Sequence, residues 1–426
     1  MNVNEATTPA PTFGEALRYW HRLGWTSFGG PVAQIAMMHE DLVVRKRWVD
    51  EAHFQHAMNY CMLLPGPEAQ QLATYVGWLL HGLRGGLAAG LLFILPSILI
   101  LLGFATLYAH YGQVPGVAGF FMGLKPAVLA LIVMAAVRIG RKSLREDVHV
   151  WTACAAAGLS VIHVPFALIL LAAAVAGWVW RTHYLPAAGA QAPQLAALKV
   201  PGSSAVRVLL VGAGLWLLPL AGAYLLGSQG EWFRKLGFFY TGTALFSFGG
   251  AYTVLPYVWQ GAVHDHGWIT TTQMMDALAL GETTPGPLIM IVAFVGYLSS
   301  WNHLHLLDWT RDLYALAGGV VAVWYTFLPG FLAILVGAPW VERTRHLPNI
   351  GAPLIAISAA VVGLIGLLAL RALSHVVGGA GLAVNGLMAG LAVLSFYLLY
   401  ARPAIPVWAV VLGSGAIGAL VTGFQR

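Results

Sequence analysis

"LLPGPEAQQ", residues 63–71, sets two prolines around a glycine inside a chain made largely of long apolar runs. Proline in a helix interior removes a backbone hydrogen bond and clashes with the preceding turn. In a bilayer such a break is tolerated only where it is packed in protein or lines a cavity. What surrounds this one therefore decides the fold. Of the 426 residues, 59% are hydrophobic and 9% charged, and the mean hydropathy is +0.75. Soluble domains carry about 25% charged residues, so the chain reads as an all-α polytopic protein whose surroundings are the lipid bilayer. Apolar runs at 87–107, 127–137, 206–226, 313–336, 354–370 and 376–399 supply spans that need about 20 apolar residues each. Ten to thirteen membrane segments are expected.

The first twelve residues, "MNVNEATTPAPT", are polar and lack a charged start followed by an apolar core. They read as a disordered tail and not as a signal peptide. Cys61 and Cys154 have neither CxxC nor Cys/His spacing, so both read as packing residues, and no disulfide, metal or cofactor is expected. The net charge of +6 fits basic loops that set orientation in a membrane, and no nucleic-acid partner is inferred from it.

"SFGG" at 27–30 recurs at 247–250, an offset of 220. The same offset places Trp48 on Trp268, and Pro65, Gly66 and Pro67 on Pro285, Gly286 and Pro287. Further on, Gly85, Gly86 and Pro96 fall on Gly318, Gly319 and Pro329, an offset of 233; the 13 extra residues sit near the polar loop "SSWNHLHLLDWTRD". The later offset also carries Arg138 onto Arg371. The chain is therefore read as a duplication: a first repeat over 13–183, a second over 231–426, and between them 184–230, a Pro/Ala/Gly-rich linker followed by one unpaired apolar span. An odd span between two copies turns the second upside down. Loop charges agree, because Arg45, Lys46 and Arg47 correspond to Asp265, His266 and Gly267, while Arg343 and Arg345 correspond to His110 and Gly112. Basic loops meeting non-basic counterparts are what inverted repeats require; Arg138 matching Arg371 is the exception.

"TSFGGPVAQIA" (26–36), "LLPGPEAQQLATYVG" (63–77), "FSFGGAYTVLP" (246–256) and "GETTPGPLIMIVAFVGY" (281–297) together resemble the chromate ion transporter family in its long two-domain form. The resemblance covers nearly the whole chain. It implies a secondary transporter of the bacterial inner membrane that exports chromate and confers resistance, with antiparallel halves and with sulfate or another oxyanion as the alternative substrate. A homodimer is compatible with this.

The residues supply a chemistry for such a dianion. Broken helices aim N-terminal N–H groups and a positive dipole end at an anion near the membrane midplane. Pro67 and Pro287 suit the first turn of a helix, and Gly66 and Gly286, beside Pro65 and Pro285, permit the turn that bares the following amides. Leucine at Gly66 or Gly286 is accordingly expected to block the amides and abolish transport without removing a span. The competing reading is a kink that serves packing alone. Gln70, Thr283 and Thr284 join the substrate candidates by position, the two threonines through their hydroxyls. Ser27, Gly29, Gly30, Ser247, Gly249 and Gly250, with Thr26, either form a second pair of breaks facing the cavity or let helices approach closely. Lys125 and Arg22 are the candidate cations, against snorkelling for the first and interfacial anchoring for the second. Arg138 and Arg371 read as charges at helix C-termini first and as a gate second. Glu68, directly after Pro67, would repel an anion unless protonated, and Asp276 and Glu282 lead into the second break; these three are the proton-coupling candidates. His39, Glu40, Asp41 and Arg45–Arg47 read as a solvated loop, in which Glu40 is able to pair with Arg45.

Three other classes compete with this reading: a transporter of a different small anion or metabolite, a channel, and a membrane-embedded enzyme. The last would need clustered His, Asp and Glu at one interface, and the 16 acidic residues are scattered without catalytic spacing.

Overall fold

The computed structural model describes residues 11–180, 205–248, 251–303, 308–344, 351–378, 382–402 and 405–424. Among these the chain is helical without strands. Its first part comprises α1 (Phe13–Thr26), α2 (Gly30–His39) with a π turn Glu40–Arg45, α3 (Glu51–Leu63), α4 (Glu68–Tyr111), α5 (Pro115–Ser143), α6 (Asp147–Val161) and α7 (Phe166–Val179). Next comes α8 (Ala205–Ala223). The remainder is α9 (Gly227–Leu245), α10 (Leu255–Trp259) with a π turn Gln260–Asp265, α11 (Thr271–Thr283), α12 (Ile291–His303) extended by a 3-10 turn Leu288–Met290, α13 (Asp308–Thr344), α14 (Gly351–Val377), α15 (Leu382–Ala401) and α16 (Val407–Phe424).

The duplication recurs in backbone detail at the offset of 220. α3 and α11 match end to end, as do the two π turns. Asp50 caps α3 by accepting from the His53 N–H, and Thr270 caps α11 by accepting from the Gln273 N–H, each such cap being worth about 1 kcal/mol. Arg47 (φ 51°) and Gly267 (φ 60°) share a left-handed position, as do Gly66 (φ 130°) and Gly286 (φ 101°).

Each repeat opens with two helical hairpins whose turns are the motifs. The Tyr60 and Tyr75 rings, 5.9 Å apart across the Pro65–Pro67 turn, show α3 and the start of α4 side by side. Asn302 Nδ2 donates to the Trp268 carbonyl (3.1 Å) and to Gln273 Oε1 (3.2 Å), closing α11 against α12 in the same way. α1 and α2 fold back across Ser27–Gly30, and α9 and α10 across the second Ser-Phe-Gly-Gly, where the Tyr257 hydroxyl donates to the Phe239 carbonyl (3.2 Å). The open ends of the first pair of hairpins cluster: Tyr19 and Trp48 rings lie 5.6 Å apart, and His39 reaches Glu51 at 2.6 Å.

α4 is kinked at His81 and Gly82, which leave helical geometry. His81 lies beside Phe13, ring centroids 5.5 Å apart, at the open end of the first hairpins. From the kink α4 runs on to Tyr111, roughly 40 Å at 1.5 Å per residue. There His110 meets Trp301 (5.0 Å) and Asp312 (3.1 Å), at the open end of the second hairpins. The hairpins of the two halves thus enter from opposite ends of α4, with their turns between. Glycines make this compact: Gly77 faces Gly85, and Gly296 faces Gly318, each pair too close for a β-carbon. Single cysteines replacing Lys46 and His266, in a cysteine-free background, are expected to label from opposite faces of the membrane; labelling from one face would overturn this orientation.

Among the described residues six helices are long and apolar enough to span: α4, α5, α8, α13, α14 and α15. Three shorter apolar helices, Phe166–Val179, Leu288–His303 and Val407–Val421, accompany them. The expected run at 376–399 is interrupted, since α14 ends at Val377 and α15 begins at Leu382. The hairpin arms α1, α2, α3, α11 and α12, of 10 to 14 residues, are about half a bilayer long and come in addition to these spans. Leu218 (73% exposed), Trp178 (70%) and Val393 (71%) face outward, as lipid contacts do. Of the two cysteines, Cys61 is buried and Cys154 exposed, so only the first is a packing residue. The proposed tail lies outside the described residues up to position 10, and the linker at 181–204.

Candidate anion-binding site

The four turns meet in the middle of the molecule, and they do so crosswise. The Gly66 N–H donates to the Ser247 carbonyl (2.8 Å), and the Gly286 N–H donates to the Ser27 carbonyl (2.9 Å). Each Pro-Gly-Pro turn is therefore held by the Ser-Phe-Gly-Gly turn of the other half. Gln34 joins one crossing only, its Nε2 donating to the carbonyls of Gly286 (2.7 Å) and Ser27 (3.1 Å).

The local reason lies in the prolines. Pro67 and Pro287 occupy the N-cap positions of the following helices, and the first closing bonds are Gln71 N–H to the Pro67 carbonyl and Met290 N–H to the Pro287 carbonyl, both 2.9 Å. The amides of Glu68, Ala69, Gln70, Leu288 and Ile289 precede those bonds and have no intrahelical acceptor. Ala69, Gln70, Leu288 and Ile289 are buried.

Around the crossing stands a set of buried polar atoms with no partner among the described residues: the hydroxyls of Ser27, Ser97 and Ser247, and the amide oxygens of Gln34, Gln70 and Gln71. Ser97 touches the turn directly, since a β-carbon on Gly286 would stand 2.8 Å from the Ser97 Cβ. An orphaned buried polar group costs about 1–3 kcal/mol, and several of them gather at the crossing.

One cavity ends at Thr26, just before the Ser27–Gly30 turn, and a second is lined by the turn itself. The first, of about 650 Å³, is lined by Arg18, Arg22, Thr26 and Lys46. Arg45 within it is paired with Glu40 (3.2 Å, the expected pair) and Asp41 (3.6 Å). Arg22 makes no ion pair among the described residues. The other, of about 290 Å³, is lined by Phe28, Gly29, Arg138, Tyr252 and Glu282.

The carboxylates fall into a pattern that the sequence did not disclose. Asp276 is buried; its Oδ2 accepts from the Tyr108 hydroxyl (2.8 Å), and its Oδ1 has no partner. Glu282 accepts from the Tyr252 hydroxyl at 2.7 Å. The fields of Lys125, Arg138 and Lys142 reach Asp276, Glu282 and Glu68 respectively. All three cations lie on α5, which therefore carries one positive charge toward each candidate proton carrier.

The structure thus gathers Ser27, Pro65, Gly66, Pro67, Gln70, Ser247, Pro285, Gly286 and Pro287 at the crossing. It places Gly29 on the smaller cavity, with Gly30 (φ 78°) opening α2. Gly249 and Gly250 lie outside the described residues. Lys125 is within electrostatic reach of Asp276, seven residues or roughly 10 Å before the end of α11, and Arg22 lines the larger cavity. The threonines are used otherwise than expected. The Thr283 hydroxyl donates to the carbonyls of Ala279 (3.1 Å) and Leu280 (3.0 Å), and that of Thr284 donates to Gly281 (3.2 Å). Threonine near a helix end satisfies the preceding turn readily, and these protons are then unavailable to an anion. Arg138 lies five residues before the end of α5 and lines a cavity, so its place is not that of a terminal charge. Sequence reasoning missed Gln34 and Ser97; the Pro96–Pro329 match, one residue before Ser97, was the available signal for the latter.

A family profile described as Chromate transporter matches residues 14–178 and 234–419. A chromate transport protein of Pseudomonas aeruginosa is 33% identical over 368 residues, covering 85% of this chain and 82% of its own. One of Cupriavidus metallidurans is 30% identical over 361 residues, 84% and 82% of the two chains. An uncharacterized transporter of Bacillus subtilis is 29% identical over 124 residues; these are 63% of its length and 29% of this chain, so it is less than half as long. No solved structure matches.

Proposed function

The chain belongs to the chromate transporter family, and from that premise we propose a secondary transporter that exports chromate across the bacterial inner membrane by alternating access between its two halves, thereby conferring chromate resistance. It is a transporter and not an enzyme. The observation that carries the reading is the double crossing at Gly66–Ser247 and Gly286–Ser27. Two helix N-termini at one place offer roughly half a positive charge each, which together offset about one charge of a dianion, and the hydroxyls of Ser27, Ser97 and Ser247 supply donors. Arg22 in the larger cavity draws the anion toward the Ser27 turn. Ser27 and Ser247 are completely buried, which favours a carrier over an open pore. Sulfate shares the tetrahedral dianion chemistry and is the competing substrate.

Uptake of labelled chromate and labelled sulfate into everted vesicles, with and without a proton gradient, tests this. Concentrative, saturable chromate uptake is expected; flux that never exceeds equilibration would indicate a channel, and uptake of sulfate alone would reassign the substrate.

Glu282 and Asp276 are assigned the coupling protons, with Glu68 the third candidate. Each is a carboxylate away from bulk water that keeps a tyrosine or a cation near it, a setting in which protonation changes the local charge by one unit. Glu282→Gln and Asp276→Asn are expected to flatten the pH dependence of transport while anion binding persists. An unchanged profile in both variants and in Glu68→Gln removes all three from the mechanism.

A further inference from the structure

Away from the crossing, a cavity of about 180 Å³ is lined by Ser160, His163, Gln260, His264 and Arg371. Three elements build it: the turn after α6, the π turn Gln260–Asp265, and α14. The π turn stands at the open end of the second hairpins, next to Trp268, on which His266 stacks at 4.4 Å. The cavity is therefore at the opposite end of the molecule from the one holding Arg18, Arg22 and Lys46. We propose that it is a second binding site for a tetrahedral oxyanion, a peripheral station at the other mouth of the protein.

The chemistry of the lining carries this. Arg371 presents a fork of donors suited to two oxygens of one oxyanion, and it forms no ion pair among the described residues. Gln260 and buried Ser160 add uncharged donors, and the two imidazoles add donors that become charged on protonation. Among the described residues no carboxylate lines the cavity. The volume holds an ion of five heavy atoms with part of its hydration, given about 30 Å³ per water. His163 is held at φ 62°, a left-handed conformation that costs about 1–2 kcal/mol for a side-chain-bearing residue and brings its ring to the cavity.

The groups facing His264 are Arg371 and His375 from α14, His163 from the α6–α7 turn, and Asp265 from its own turn. Partial desolvation, then Arg371, hold the His264 ring below the ordinary histidine range, Asp265 opposes this, and His163 and His375 add to it. A ring whose protonation is resisted by neighbouring cations regains its proton when an anion enters. Binding therefore takes up protons, and affinity rises as pH falls.

Equilibrium binding of radiolabelled sulfate to the purified full-length protein tests the site, because the charge of sulfate does not change between pH 6 and pH 8. Sulfate is expected to bind roughly tenfold tighter at pH 6 than at pH 8, as one added charge near a protein surface provides. Arg371→Gln should remove this pH-dependent binding, and His163→Gln with His264→Gln should flatten its pH profile. Both histidines are exposed, so the second variant decides the matter even if the first fails to fold. Isotherms that superimpose on the unaltered protein at both pH values overturn the site. The assay reads binding and not flux, so its failure is distinct from a failure of the proposed chromate transport.

Discussion

Alanine at both Ser27 and Ser247 is expected to reduce chromate transport on the order of a hundredfold while leaving thermal stability unchanged or raised. Neither hydroxyl has a partner among the described residues, and both residues are completely buried. Removing an unsatisfied buried hydroxyl relieves a cost that the folded state now carries, so the fold gains or is indifferent. A hydrogen bond to a charged group contributes about 1.5–3 kcal/mol, and two lost together exceed two decades. The backbone carbonyls of the same residues, which hold the crossings, survive the substitution. Vesicle uptake together with a melting curve in detergent checks both halves of the expectation. Transport retained at the level of the unaltered protein would mean that the crossing is scaffold and that the anion passes elsewhere.

Leucine at Gly286 is expected to prevent accumulation of folded protein, not merely transport. The residue has φ 101°, donates to the Ser27 carbonyl, and would push a β-carbon to 2.8 Å from the Ser97 Cβ. Left-handed geometry costs about 1–2 kcal/mol and overpacking typically 1–3 kcal/mol, against a total stability of about 5–15 kcal/mol. The expectation from sequence was a folded, inactive protein, and the contact with Ser97 is what changes it. Gly66 differs: its β-carbon would meet the amide end of Gln71, a flexible group, at the loss of the 2.7 Å bond from Gln71 to the Pro65 carbonyl. Leucine there should accumulate better than at Gly286. Expression level and melting temperature of the two variants give the order, and equal accumulation would show that Ser97 yields without cost.

The breaks were legible because proline and glycine leave a mark at fixed positions, and the offset of 220 repeated that mark. Their function as hairpin turns followed less directly, since a local sequence does not say whether the chain continues or reverses after Pro67; Tyr60 against Tyr75 decides that. Which turn meets which was not legible at all. Ser27 and Gly286 are brought together by long-range packing that has no periodicity to read. The charges on α5 show the same limit: Lys125 and Arg138 stand out in an apolar run, yet the carboxylates within reach of their fields, Asp276 and Glu282, lie on α11, more than a hundred residues away. Thr283 and Thr284 were credited with free hydroxyls because composition cannot tell which oxygen a hydroxyl proton will choose.

Gln34 has further weight because the residue at its place in the second half is Val254. The Gly286–Ser27 crossing carries two side-chain hydrogen bonds from Gln34 that have no counterpart at its twin among the described residues. If the carrier faces one side with one crossing sealed and the other side with its twin sealed, the two facings are unequal in energy. Two hydrogen bonds at about 0.5–1.5 kcal/mol each tilt the resting population by roughly tenfold or more. A duplicated carrier with perfect twofold symmetry would idle evenly between its orientations; under the proposed alternating access, a single glutamine would give this one a preferred resting side.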